Sequence, residues 1–251
     1  MLKQDIQRAA AILVNARRTR THITGLPDAL KPATIQDAYA IQDEVTHQLG
    51  KLIGGFKAIA PPGAEPQRAM LYGGTLHASP ASMAVTDVPH CGVEAEVAFR
   101  YRQDFPPRAT PYSREEVAAA VDCCAAIEVV SGRFDRSVQV GNLERLADGI
   151  LNGGFVYGPL VHDWQHLDLP NLHVTQSVNG QVAIEKDGGH PTGDPLGVAV
   201  MLVNLWRDKG GVRAGQFITC GSYTGLTYIN PGDVCTVRFA GLGEARVEFI
   251  V

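Results

Sequence analysis

The strongest constraint on this chain is a carboxylate inside an apolar run, Glu128 in Ala125-Ala126-Ile127-Glu128-Val129-Val130. Such a run reads as a strand buried on both faces, and a buried carboxylate is costly unless it is paired or bound to a cation. Any fold of this chain must bring Glu128 a partner. Two more carboxylates, Glu94 and Glu96, lie in "CGVEAEVAFRY", residues 91–101. Alternation along a strand puts Glu94, Glu96 and Ala98 on one face and Val93, Ala95, Val97 and Phe99 on the other. Glu94 and Glu96 are then roughly 6.6 Å apart along the strand, close enough to converge on one ion. The same alternation also describes the wet face of a half-buried strand, and Arg133 is a local cation that would satisfy Glu128 without a metal. Three carboxylates with no thiol or imidazole form an oxygen-rich set, which favours Mg²⁺ or Mn²⁺ over Zn²⁺.

Over 251 residues, 45% hydrophobic and 19% charged residues describe a soluble globular protein with ample core. The net charge of −4 leaves no basic footprint for nucleic acid. Arg17, Arg18 and Arg20 read as a solvated helix end. The five cysteines (Cys91, Cys123, Cys124, Cys220, Cys235) are odd in number and form no CxxC pair. That is the pattern of reduced thiols in a cytoplasmic protein. No apolar run reaches the ~18 residues of a membrane span. The stripe Ile6, Ala9, Ala10, Leu13, Val14 fits an ordinary first helix rather than a signal peptide.

That helix is expected over 3–18 and a second over 35–49. Thr34 and Asp37 cap the second, Gly50 ends it, and Ile35, Ala38, Ile41, Val45 and Leu49 form its stripe. The strand "KLIGGFKAIA", 51–60, carries Gly54-Gly55, which allow close backbone approach. Lys57 follows within an apolar segment, either snorkelling at a sheet edge or placed in a site. The Pro- and Gly-rich run 60–83 reads as an irregular excursion that covers or lines a site. Ser113 and Glu116 form a second capping box and open a helix over 114–124, which puts Cys123-Cys124 on a helix, with a strand at 126–130. A Gly-rich turn within 148–161 feeds another strand, Asn179-Gly180 marks a hairpin, a helix covers 195–208, and the end is short strands. "GLGEAR", 241–246, lacks the third glycine of a dinucleotide loop, and His162 and His166 lack the HExxH glutamate of a zinc site.

Taken in order, "DAYAIQ" (37–42), "GGFKAIA" (54–60), "YGGTL" (72–76), "VEAEVAF" (93–99), "AIEVV" (126–130), "LNGGFVYG" (151–158) and "AGQFITCGSYTG" (214–225) resemble the fumarylacetoacetate hydrolase superfamily. The nearest likeness is to its 2-oxopent-4-enoate hydratase and 4-oxalocrotonate decarboxylase branch, and "INPGDVCTVRFAGLGEARVEF" (229–249) completes the pattern. The resemblance implies an α+β fold, with an N-terminal helical region (1–50) on a β-rich catalytic core (51–251), assembled as a homo-oligomer. It implies that Glu94, Glu96 and Glu128 hold the metal and that Lys57 is the active-site lysine. It also implies that Arg133, Asn152, Gly221 and Ser222 lie against the substrate.

The sequence departs from the family in its proton-transfer half. No carboxylate follows "YGGTL", where Leu76-His77-Ala78-Ser79-Pro80 stands instead, so His77 is the candidate to replace the missing acid. The "DSR" after the third glutamate is Ser131-Gly132-Arg133, and the "DNA" before the amide is Asp148-Gly149-Ile150. The activity implied is water addition to a 2-hydroxy-2,4-dienoate or 2-oxo-4-enoate in the breakdown of aromatic compounds. Decarboxylation of a 4-oxalocrotonate type comes next, then acylpyruvate C–C hydrolysis. From another class stands a metal-binding partner subunit without activity of its own. The expected partner is a small 2-oxo acid, with neither nucleic acid nor membrane.

Overall fold

The computed structural model describes every residue except Pro61, Pro62 and Ala64. The chain opens with two helices, α1 (Lys3–Thr19) and α2 (Ile35–Leu49). The sequence marks for α2 act as expected. Thr34 Oγ1 accepts from the Asp37 amide at 3.1 Å, Asp37 Oδ2 accepts from the Thr34 amide at 3.1 Å, and Gly50 closes the helix with φ 62°. The apolar stripes of α1 and α2 meet each other, and both pack on Phe134, Val140 and Leu146 from the rest of the chain.

There follow β1 (Ile53–Ile59), β2 (Gln67–Tyr72), β3 (Leu76–Ala78), β4 (Ala81–Ala84) and β5 (Gly92–Tyr101). Next come α3 (Arg114–Ala118), β6 (Val121–Val130), α4 (Asn142–Ala147) and β7 (Asn152–Tyr157). The hairpin β8 (His173–Val178) and β9 (Gln181–Asp187) turns at Asn179-Gly180 and precedes α5 (Pro195–Trp206). The chain ends with β10 (Phe217–Ser222), β11 (Thr227–Tyr228), β12 (Val234–Phe239) and β13 (Gly243–Ile250).

Two expectations are corrected. The run 60–83 is not one irregular excursion: its described part contains β2 and β3 and most of β4, while Pro61, Pro62 and Ala64 lie outside the described residues. The helix that opens at Ser113 stops at Ala118, and Cys123 and Cys124 lie in β6. Its capping box is present, so the start was legible. What ends it early is tertiary: β6 pairs with β5 over ten antiparallel positions, from Tyr101↔Val121 to Gly92↔Val130. Pairing of that extent overrides a local helix preference worth tenths of a kcal/mol per residue.

The strands form two sheets. The larger runs β2-β1-β10-β5-β6-β7-β3, with β11 added to β5, and it curls until β2 contacts β7. The smaller runs β4-β13-β12-β8-β9. Pleat alternation divides the larger sheet. Val93, Ala95, Val97, Phe99, Ala125, Ile127, Val129 and Ile218 join the main core with the smaller sheet and α5. The opposite, concave face carries Leu71, Ala98, Cys124, Ala126, Phe155 and Phe217. Close approach at one point depends on glycine: a Cβ on Gly55 would stand 2.5 Å from the carbonyl oxygen of Phe217, with β1 and β10 parallel there.

The architecture is therefore the expected α+β one, helices first and then mixed sheets.

Candidate metal centre

The concave face gathers the charged residues. In β5 and β6, Glu94 is registered directly opposite Glu128, and Glu96 follows two residues on. Ligand oxygens of the three carboxylates lie within 4.8 Å of one another. Glu128 is fully buried, Glu96 nearly so, and Glu94 is partly open. Lys57 reaches them from β1 across the intervening strands. Its Nζ donates to Glu128 Oε1 at 2.8 Å and stands 2.7 Å from Glu128 Oε2 and 3.7 Å from Glu94 Oε2.

Each carboxylate is held by particular donors. Thr219 Oγ1 and the Gly221 amide, the latter at 2.8 Å, both donate to Glu96 Oε2. The Asn152 side-chain amide donates to Glu128 Oε1 at 3.1 Å and to the Gly154 carbonyl at 3.2 Å. Glu128 Oε2 is buried and makes no hydrogen bond among the described residues, despite its ionic contact with Lys57. Ser222 Oγ is likewise buried and unbonded among them.

Three carboxylates face one lysine, so the cluster carries an excess of negative charge in a poorly solvated place. Burial raises the Glu94 carboxyl above its ordinary range. It pushes Glu96 up to about 8, and repulsion from Glu128 and Glu94 adds to it. Burial alone would lower Lys57, but Glu128, Glu94 and Glu96 together outweigh it and hold the ammonium charged. An all-oxygen donor set and more carboxylates than the single lysine neutralises fit a hard divalent cation.

The other candidates are less uniformly placed. Arg133 is not the partner of Glu128: its Nε donates to Asp148 Oδ1 at 2.5 Å, and its remaining bonds go to the carbonyls of Ser131, Asn152 and Asp148. Gly221 and Ser222 lie beside Glu96, since Ser222 pairs with Glu96 across β10 and β5. His77 is not brought to the cluster. Its neighbour Leu76 registers with Phe155, which registers with Glu128 on the concave face, whereas His77 registers with Val156 of the opposite face. His77 instead lines a cleft of about 460 Å³ with Arg17, Ser131 and Arg133, to which neither Lys57 nor the three glutamates contribute. One residue period separates the two outcomes, because neighbours in a strand face opposite ways. The sequence reading also overlooked Thr219, whose signal was a lone hydroxyl in the buried run Phe217-Ile218-Thr219-Cys220.

The profile of the Fumarylacetoacetate (FAA) hydrolase C-terminal family matches residues 36–250. The chain belongs to that family. It is 26% identical over 263 residues to a 2-keto-4-pentenoate hydratase of Paraburkholderia xenovorans, covering 99% of this chain and 96% of the relative. It is 31% identical over 137 residues to a 4-oxalocrotonate decarboxylase of Pseudomonas putida, covering 54% of this chain and about half, 52%, of that relative. A solved 4-oxalocrotonate decarboxylase from Pseudomonas putida G7, complexed with magnesium and adipate, superposes with a TM-score of 0.84 at 23% identity. It covers 100% of this chain and 99% of its own, and at that identity shows the shared fold. The chain is an enzyme of that family, and the relatives it resembles are named as hydratases and decarboxylases. No helix among the described residues is long and apolar enough to cross a membrane.

Proposed function

We propose that the protein is a Mg²⁺- or Mn²⁺-dependent hydratase of a small 2-oxo-4-enoic acid, with Glu94, Glu96 and Glu128 as metal ligands and Lys57 as the proton-handling residue. The observation that carries this reading is the convergence of the three carboxylates and Lys57 on one concave face. The ion, when bound, supplies Lewis-acid withdrawal of charge from the 2-oxo carbonyl. The protein's own residues do the rest. Lys57, kept protonated by its carboxylate neighbours, carries a proton at Nζ to give to the conjugated chain and, left neutral, takes one back from the water that adds. Ser222 Oγ, buried without a partner among the described residues, offers a donor to an oxygen of the acid. Asn152 holds Glu128 in place. The end-to-end likeness to a hydratase favours water addition. We extend the same reading to a cytoplasmic homo-oligomer, as the resemblance implies, acting in the breakdown of aromatic compounds.

Decarboxylation is the second reading, and one observation favours it. With His77 on the opposite face, Lys57 is the one cationic side chain among the described residues that contacts the carboxylates. Returning one proton after loss of carbon dioxide asks less of the site than activating water as well. Product analysis decides. Incubated with 2-oxopent-4-enoate and Mn²⁺, the protein is expected to form a 4-hydroxy-2-oxo acid. Carbon dioxide release from 4-oxalocrotonate with no hydration of the pentenoate would overturn the hydratase reading.

A further inference from the structure

The turn between α4 and β7 has an unusual backbone. Gly149, Ile150 and Leu151 follow one another at φ 75°, 53° and 60°. Glycine takes the left-handed region freely. A β-branched isoleucine there is a true outlier, and each such residue disfavours its conformation on the order of tenfold. The turn nevertheless delivers two groups to the concave face. The Ile150 carbonyl accepts from Lys57 Nζ at 3.5 Å, and Asn152, the first residue past the turn, bonds Glu128.

What holds it is a buried ion pair. Arg133 and Asp148 are 7% and 1% exposed. Asp148 Oδ2 accepts the Arg133 amide at 2.9 Å, and Oδ1 accepts Nε at 2.5 Å. Arg133 then brackets the turn at both ends, with Nη2 on the Asp148 carbonyl at 2.6 Å and Nη1 on the Asn152 carbonyl at 2.8 Å. The Ser131 amide closes the middle on the Leu151 carbonyl at 2.9 Å. The two turns interlock so closely that a Cβ on Gly132 would lie 2.6 Å from Leu151 Cδ2.

We propose that Arg133 and Asp148 are positioning residues, a buried clamp that holds the left-handed turn 149–151 so that the Ile150 carbonyl meets Lys57 and the Asn152 amide meets Glu128. This rests on the proposed metal site. It replaces substrate contact by Arg133 with action through the turn. Lysine at 133 keeps the charge but lacks the planar fork needed to reach both ends of the turn. Glycine at 150 adopts the turn without steric cost and relieves the clamp of its task.

The test titrates Mn²⁺ into metal-free wild type, Arg133→Lys, Arg133→Met and Arg133→Lys/Ile150→Gly, all well below their melting temperatures. Amide hydrogen exchange of residues 150–152 is followed in the same metal-free samples. Both Arg133 variants are expected to exchange there at least tenfold faster than wild type and to bind Mn²⁺ at least fivefold more weakly. Ile150→Gly is expected to restore affinity to within about twofold of wild type. Arg133→Lys with wild-type Mn²⁺ affinity and only a lowered melting temperature would overturn the proposal, leaving the pair a packing element. If wild type itself fails to bind Mn²⁺, the metal-site reading is the one that falls. Unchanged exchange at residues 150–152 in both Arg133 variants overturns the clamp whatever the metal result.

Discussion

Glu94 and Glu128 stand directly opposite each other in adjacent antiparallel strands, two carboxylates on one face at paired positions. Like charges so placed destabilise a sheet, and this one tolerates them beneath a single lysine that sits closer to Glu128 than to Glu94. The arrangement costs folding energy in the metal-free protein and suits a cation.

Glu94→Gln separates these effects. Burial is the main influence raising the Glu94 carboxyl, with Lys57, 3.7 Å away, opposing it and Glu128 adding to it, so neutralising Glu94 chiefly removes the cost of a buried charge. The metal-free variant should be more stable than wild type by on the order of 0.5–1 kcal/mol, read by urea unfolding. Mn²⁺ affinity should fall at least a hundredfold by calorimetry. A variant that is destabilised and still binds metal would contradict both parts.

Lys57→Met should lower kcat by roughly 10²–10⁴-fold, the range for a positioned acid–base group, while Mn²⁺ binding survives. It also leaves Glu128 buried without its ionic partner, so the metal-free protein should lose about 3–5 kcal/mol. Saturating Mn²⁺ should restore part of that loss. His77→Ala, by contrast, should leave kcat and its pH profile unaltered, since the register turns His77 away from Lys57. A lost limb of the pH profile in His77→Ala would show that the cleft and the carboxylate cluster act together.

How far the site could be read beforehand follows from range. The three glutamates and Lys57 stood out locally as charges inside apolar patterns, and alternation put Glu94 and Glu96 on one face. Only the family resemblance chose a site over a wet strand face or a snorkelling lysine. The pairing of Glu94 with Glu128 was not legible, because it depends on β5 meeting β6 rather than on either strand alone. The facing of His77 was not legible for the same reason: it is set by a parallel register with β7 that no local pattern encodes. Arg133 was recognised as a cation near Glu128, but only the tertiary structure puts it on Asp148 and leaves Glu128 to a lysine 71 residues earlier.

Gly55 tests how the sheet places Lys57. Its missing Cβ would lie 2.5 Å from the Phe217 carbonyl oxygen, a backbone atom that cannot rotate aside. Gly55→Ala must push β1 from β10 or distort both, at a cost of about 1–3 kcal/mol or more. Lys57 pairs with Thr219 two positions further along the same register. Activity should therefore fall by more than the stability loss explains, at temperatures where the variant is fully folded. A Gly55→Ala enzyme with full kcat would show that the close approach serves packing alone.

Acid sensitivity should come partly from His90. It is buried and stacked on His22 with ring centroids 4.5 Å apart. Burial first, then the neighbouring His22, Arg136 and Arg133, holds its imidazole down at about 4. An ordinary histidine titrates near 6.5, so between those values the unfolded chain binds a proton that the folded protein refuses. Stability is then fully present above about pH 6.5 and declines as pH falls toward 4. The expected size is about 1–2 kcal/mol once water near the ring is allowed for. His90→Phe keeps an aromatic ring against His22 and cannot titrate. Its unfolding free energy should fall less between pH 7 and 4.5 than that of wild type, measured by urea unfolding at each pH. Parallel curves for the two proteins would assign the acid sensitivity to other groups.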